Sequence, residues 1–220
     1  MNTCTRTGCL LLLLAALPVG CRLLREDAAR LPPPDPKPLG SVMLDAGRRE
    51  VLVTGFVNQV SGPVELLACG PGGKTHESVL VLMVEPQDLH VALLLLGLRH
   101  GPPMPGVGMA PPKGDPVHLE VVWEEQGTTR TIPAELLLRD VQTRKPVRHE
   151  AWIFNGSMIE AGRLKALEEE SLVTTYWDPW SLINIASDIG ADDERVVVNT
   201  HAVPPLHHPV TLVIRPGGRR

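Results

Sequence analysis

Hydrophobic residues in this chain fall into short runs, separated by clusters of glycine, proline and charged side chains. Residues 51–57 read as a strand with Gly55 as a bulge. Ser61-Gly62-Pro63 turns the chain into a second strand over 64–68. Residues 79–84 form a continuous valine-rich run, the pattern of a strand buried on both faces. Over 117–124 the pattern alternates: Val117, Leu119, Val121 and Trp123 share one face, and His118, Glu120 and Glu124 share the other. Glu125-Gln126-Gly127-Thr128 is a hairpin turn into 129–132. Residues 152–154, 172–177, 196–198 and 210–214 read as further strands.

One helix is expected over about 86–97. Pro86 suits the first helical position, Asp88 complements the dipole of the first turn, and Gly97 ends the helix in a left-handed cap. Residues 89–96 are apolar nearly all round, which predicts a buried helix. Pro133-Ala134-Glu135 opens a second short helix to about Arg139, and 165–171 is a charged turn or short helix. Residues 101–116, rich in proline, glycine and methionine, form a long loop. The pattern therefore predicts an α+β fold class: a β-rich mixed sheet with one buried helix and a second short helix.

The N-terminus is organised differently. Arg6 precedes an apolar stretch over 10–17, the layout of an export signal over 1–20. Leu17-Pro18-Val19-Gly20-Cys21 resembles a bacterial lipoprotein box, with Pro18 where leucine is usual, and Cys21 as the lipidated residue. A conventional cleaved signal, giving a soluble exported protein, is the alternative. Residues 21–39, with Leu31-Pro32-Pro33-Pro34-Asp35-Pro36-Lys37-Pro38, read as an extended tether. One domain over 40–216 and a frayed tail over 217–220 complete the chain. Arg22, rather than aspartate, follows Cys21, which by resemblance to the sorting rule places the anchor in the outer membrane, facing the periplasm.

Composition narrows the function classes. A net charge of −4 and only 3% aromatic residues offer neither the basic stripe nor the stacking platforms of a nucleic-acid binder. Of four cysteines, Cys4 and Cys9 leave with the signal and Cys21 takes lipid, so Cys69 stands alone. It reads as a small buried hydrophobe beside Leu66-Leu67-Ala68, with a reactive thiol as the alternative.

The chemistry-bearing stretch is 68–101. Ala68 to Thr75 fits the loose phosphate-loop pattern, yet no helix opens at Lys74-Thr75, so its amides lack the required aim. A glycine turn between strands is the better reading, and no nucleotide is expected. His76, Glu77 and His90, with Cys69 nearby, are the candidate ligands for a transition metal, although adjacent His76 and Glu77 point to opposite faces on a strand. Met104 and Met109 lack the supporting histidines of a copper site. Asp188, Asp192, Asp193 and Glu194 lack calcium-loop spacing. Trp177 and Trp180 flank Asp178-Pro179 and read as packing residues or a sugar platform.

The run from Leu67 to Ser78, followed by Pro86-Gln87-Asp88-Leu89-His90-Val91-Ala92-Leu93-Leu94-Leu95-Leu96-Gly97, resembles the YdjY-like domain family of bacterial envelope proteins. Trp152-Ile153-Phe154-Asn155-Gly156-Ser157, Asn199 and Val203-Pro204-Pro205 extend the likeness over about 40–216. The resemblance implies one exported domain and carries no activity, cofactor or site residue with it. Three functions follow: a lipid-anchored module that binds an envelope protein or small ligand, a metal- or thiol-dependent enzyme using Cys69, His76, Glu77 and His90, and a purely structural envelope component.

Overall fold

The computed structural model describes residues 35–147 and 152–218. The expected signal, Cys21, most of the tether and Arg219-Arg220 lie outside the described residues. In chain order the strands are β1 (Lys37–Leu39), β2 (Val42–Asp45), β3 (Glu50–Val57), β4 (Leu66–Cys69), β5 (Ser78–Leu82), β6 (Asp115–Glu125), β7 (Thr128–Pro133), β8 (Leu138–Asp140), β9 (Lys145–Pro146), β10 (Trp152–Phe154), β11 (Ile159–Glu160), β12 (Arg163–Leu164), β13 (Ser171–Thr174), β14 (Ile183–Ile185), β15 (Val196–Val198) and β16 (Pro209–Pro216). The described helices are α1 (Pro86–Leu95) and the single-turn α2 (Ala166–Glu169), with 3-10 turns at Thr75–Glu77, Ala134–Leu137 and Asp188–Ala191.

Eight strands form a closed barrel in the order β3-β16-β6-β10-β14-β13-β4-β5, and β5 returns to β3. Two neighbouring pairs, β13–β14 and β4–β5, are parallel; the other six junctions are antiparallel. The expected α+β mixed sheet with a buried helix is thus overturned: the protein is mostly β. The physical reason is closure. A sheet curled on itself buries its inner face with its own side chains, and eight strands leave an interior that side chains fill. Val53, Val57, Ala68, Leu80, Leu119, Val121, Phe154, Ile183, Ile185, Leu212 and Ile214 belong to that core.

Closure depends on a shared strand. The first half of β3 pairs with β2 (Met43↔Leu52, Leu44↔Val51) and the second half with β5 (Gly55↔Leu82, Phe56↔Val81, Val57↔Leu80). At the changeover, a Cβ on Gly55 would stand 2.2 Å from the Val81 carbonyl oxygen. Glycine is needed there for close approach of two backbones. Strand β6 is shared in the same way, pairing with β10 over its first residues and with β7 over its last. A three-stranded sheet, β15-β8-β9, and the β11–β12 hairpin lie outside the barrel order.

Helix α1 caps one barrel end. Pro86 opens it, and Ser41, from the β1–β2 turn, ties down its first turn: the Ser41 hydroxyl accepts from the Glu85 N–H at 2.8 Å and donates to Asp88 Oδ2 at 2.8 Å. Gly97, at φ +82°, ends it, with Gly97 N–H bonded to Leu94 O and Leu98 N–H to Leu93 O, a Schellman stop. Only one stripe is buried, through Pro86, Leu89, Ala92 and Leu93, while Val91, Leu94 and Leu95 face outward. An end cap needs one apolar stripe, whereas a helix enclosed on all sides would use the whole surface. The second helix expected at 133–139 is a 3-10 turn leading into β8, and the short α2 falls in the charged segment 165–171. Among the described residues no helix is long and apolar enough to cross a membrane.

Gly55→Ala places a methyl group into backbone and lowers stability by about 1–3 kcal/mol. Denaturant unfolding of the variant against the parent chain measures this, and an unchanged midpoint would mean that β3 and β5 are not in contact.

Candidate functional site

Parallel strands are usually joined by a crossover of about a dozen residues or more. Here the links are residues 70–77 and 175–182, eight each. They suffice because β4 and β13 have four residues each, so each return covers only about 13 Å at ~3.3 Å per residue. Both crossovers run outside the wall formed by β14, β13, β4 and β5, side by side because the two parallel pairs are adjacent.

A pocket of about 290 Å³, including its open mouth, lies between them. Leu66 and Thr174, which pair across β4 and β13, belong to its lining. Lys74 comes from the first crossover, Tyr176, Asp178 and Trp180 from the second, and Glu65 from the residue before β4. Val107 arrives from the long loop, which is fastened to the second crossover by a 2.7 Å hydrogen bond from Gly108 N–H to Trp177 O.

The second crossover is held by a buried amide network. Asn184 on β14 accepts through Oδ1 from the Asp178 N–H at 2.7 Å and from Thr174 Oγ1 at 2.9 Å. Its Nδ2 donates to Asp178 O at 2.9 Å and to Asn155 Oδ1 at 2.8 Å. Asn155 Nδ2 donates in turn to Ser181 O. All four polar atoms of this amide pair are therefore occupied. A buried network that is fully satisfied fixes one geometry, since each unpaired member would cost about 1–3 kcal/mol. Trp177 adds a bond from Nε1 to Ile185 O at 3.1 Å and packs flush on Gly190, so it is a structural tryptophan, whereas Trp180 lines the pocket.

The first crossover is held by an internal anion. Gly70 N–H donates to the Glu170 backbone oxygen at 2.8 Å, and Gly72 N–H donates to Glu170 Oε2 at 2.7 Å. A Cβ at Gly70 or Gly72 would stand 2.3 or 2.6 Å from that carboxylate. The glycines of the phosphate-loop-like motif do cradle an anion, but it is the chain's own carboxylate, and the segment leads into a 3-10 turn.

Electrostatics concentrate in the pocket. Lys74 Nζ stands 4.0 Å from Glu65 Oε2. Burial pushes the Glu65 carboxyl up, the Glu77 charge adds to this, and Lys74 opposes it. Burial likewise pushes Asp178 up, against a 2.8 Å hydrogen bond from the Trp180 N–H and the attraction of Lys74. One ammonium thus pairs with the half-buried Glu65 and attracts the buried Asp178 from farther away.

The structure does not assemble the residues that the sequence singled out. Cys69 is fully buried on the outer face of β4 with Leu66, Val81 and Phe56, and burial pushes its thiol up, away from thiolate. His76 and Glu77 do meet, at 3.3 Å, because they sit on a 3-10 turn and not on a strand. His90 lies on α1 at the other end of the barrel, with its ring 5.6 Å from Phe154 and 6.3 Å from His100. Its Nε2 is buried without a hydrogen-bond partner, and burial lowers its pKa, with His100 contributing. Among the described residues no group of three or more His, Cys, Asp or Glu side chains is placed to hold a metal ion. Glu120, expected beside His118, is ion-paired with Arg215. Met104 is buried and Met109 is exposed. Sequence reasoning missed Glu65, Lys74, Tyr176 and Asp178 as a group, because only the adjacency of two parallel pairs unites them.

These features define a class: a small, mostly β domain, closed as a mixed barrel, with a pocket on its outer wall where a few charged side chains meet a mainly apolar lining. The family model described as the YdjY domain matches residues 42–214, from the start of β2 to near the end of β16, and the chain belongs to that family. No curated protein and no solved structure matches it.

A raised carboxyl pKa stabilises the fold below the ordinary aspartate value, about 3.9, and that contribution is lost as pH rises through the folded value. Asp178→Asn keeps an acceptor for the Trp180 N–H and removes the titration. The variant is therefore expected to be more stable than the parent chain at neutral pH, with the gap closing below about pH 4. Thermal unfolding across pH 3 to 8 checks it, and a gap independent of pH would contradict a desolvated Asp178.

Proposed function

We propose that this protein is a lipid-anchored component of the bacterial cell envelope that works by binding, and that the pocket between the crossovers receives a small polar ligand or one charged side chain of an envelope partner. The observation that carries the reading is the grouping of Glu65, Lys74 and Asp178 with Tyr176 and Trp180 in one concavity on a hydrogen-bonded frame. Two carboxylates accept, one ammonium donates, and two aromatic side chains offer apolar edges, the combination by which a polar group is oriented. The concavity is small and open-mouthed, which fits one side-chain-sized group seated from outside rather than an enclosed molecule. Preorganisation supports binding, because little ordering entropy remains to be lost on complex formation.

The anchor part of the reading rests on Gly20-Cys21 and the apolar stretch before it. It places the barrel on the periplasmic face, with the outer membrane as the anchoring leaflet's membrane and the N-terminal lipid as the membrane contact.

A photo-crosslinking residue at Val107, on the pocket rim, is expected to give one discrete adduct in producing cells. Lys74→Ala and Trp180→Ala should each reduce that adduct at least ~10-fold, the equivalent of 1.4 kcal/mol, while the barrel stays folded by circular dichroism. An adduct indifferent to both substitutions, or none, would sink the proposal.

A further inference from the structure

The outward stripe of α1 is apolar where a capping helix normally carries polar side chains. Val91, Leu94 and Leu95 stand at i, i+3 and i+4, so they share one face, and Leu95 is 62% exposed. Met83, just ahead of the helix, is 53% exposed, and Leu167 on the neighbouring α2 is also exposed. Grouped apolar side chains of this size on a surface mark a contact with something.

We propose that this end of the barrel rests on a lipid surface, with the outward leucines of α1 entering the headgroup layer; the inference rests on the lipid-anchor reading of Cys21. Three observations select a membrane as the occupant. The chain enters the domain here: the turn between β1 and β2 is bonded to the first turn of α1, with Ser41 N–H donating to Asp88 Oδ2 at 2.7 Å. From Cys21 to residue 35 is 14 residues, which reach at most about 50 Å at ~3.5 Å each, so a lipid on Cys21 keeps the domain beside the bilayer. Exposed guanidinium groups also stand at the far end of the helix, in ion pairs rather than as a net positive patch. Arg49 Nη2 donates to Leu96 O at 3.1 Å, Arg48 pairs with Asp45 and Glu50, and Arg99 pairs with Asp115, the Arg48 and Arg99 side chains being 64% and 70% exposed. Exposed guanidinium groups beside exposed leucines suit a phospholipid surface, where apolar side chains enter the headgroup layer and the cations meet the headgroup phosphates.

The geometry has a functional consequence. Strands β4 and β5 run in parallel from the end that carries Glu65, His76 and Glu77 toward the end where β5 leads into α1. With α1 against lipid, Glu65 and Tyr176 lie at the end of the barrel turned away from the membrane, so the pocket faces the periplasmic space.

The test places an environment-sensitive fluorophore on Leu95→Cys in the full exported chain and adds vesicles of phosphatidylethanolamine and phosphatidylglycerol. The same labelling of the parent chain gives the background, and mass analysis of Cys21 reports acylation independently. The proposal expects a blue shift on adding vesicles that is lost in Val91→Glu/Leu94→Glu and absent when the probe is on Gln126→Cys in the β6–β7 turn. An acylated chain whose probe stays in water overturns the proposal and leaves the anchor standing. An unmodified Cys21 overturns the anchor reading, and the proposal with it. A blue shift without vesicles, accompanied by dimers in sedimentation, overturns it in favour of a second copy.

Discussion

The backbone contact between Gly55 on β3 and Val81-Leu82 on β5 converts an open sheet into a barrel. Without it the order would run from β1 to β5 with two exposed edges, and Val57 and Leu80 would lose the partners that bury them. Glycine at that point removes the one side chain that would hold the strands apart. Since β3 also pairs with β2 along the same edge, the barrel closes without giving up the N-terminal hairpin. That hairpin then holds the first turn of α1 through Ser41 and Asp88, so closure, chain entry and the end cap are mechanically one assembly.

Closure also dictates the pocket. Two adjacent parallel pairs in a mostly antiparallel barrel require two return segments on the same outer wall. Neither can sink into the filled interior, so both lie against the outside, and the space between them becomes a concavity. Different devices hold them in place: Asn184 and Asn155 bind the second crossover through buried amides, and the Gly70 and Gly72 amides hold the first through Glu170. Lys74, Glu65 and Asp178 are left around one concavity, where partial burial raises both carboxyls and Lys74 opposes the rise. A pocket assembled in this way has a hydrogen-bonded frame and sets a few charged groups in a mainly apolar lining.

Local elements were legible in the sequence, because they depend on neighbours along the chain. The valine-rich run at 79–84 announced β5, the alternation over 117–124 announced β6, and Pro86 with Gly97 bracketed α1. The family likeness was legible too, from the run between Leu67 and Gly97. Closure was not, since it turns on a contact between residues 55 and 82 with no periodic signature. The apolar run of α1 was read as full burial because periodicity cannot report that a barrel end needs only one stripe. The segment from Ala68 to Thr75 was read as a glycine turn between strands. Nothing local signals that Gly70 and Gly72 are required by the carboxylate of Glu170, about a hundred positions away. The candidate site suffered most. Sequence proximity joined Cys69, His76, Glu77 and His90, whereas the fold buries the first, pairs the next two and sends the last to the opposite end. Glu65 and Asp178, which line one pocket with Lys74, lie too far apart in the chain to attract notice.

The central claim is that the pocket between the two crossovers is where this protein meets its ligand. Amide and indole NMR spectra of the isotope-labelled chain, recorded with and without fractionated envelope extract from a producing bacterium, test it most directly. The account predicts shifts confined to Leu66, Lys74 and residues 174–180, including the Trp180 indole, with Trp177 and the β6–β7 turn unmoved. Shifts centred elsewhere on the barrel, with those resonances still, would contradict it.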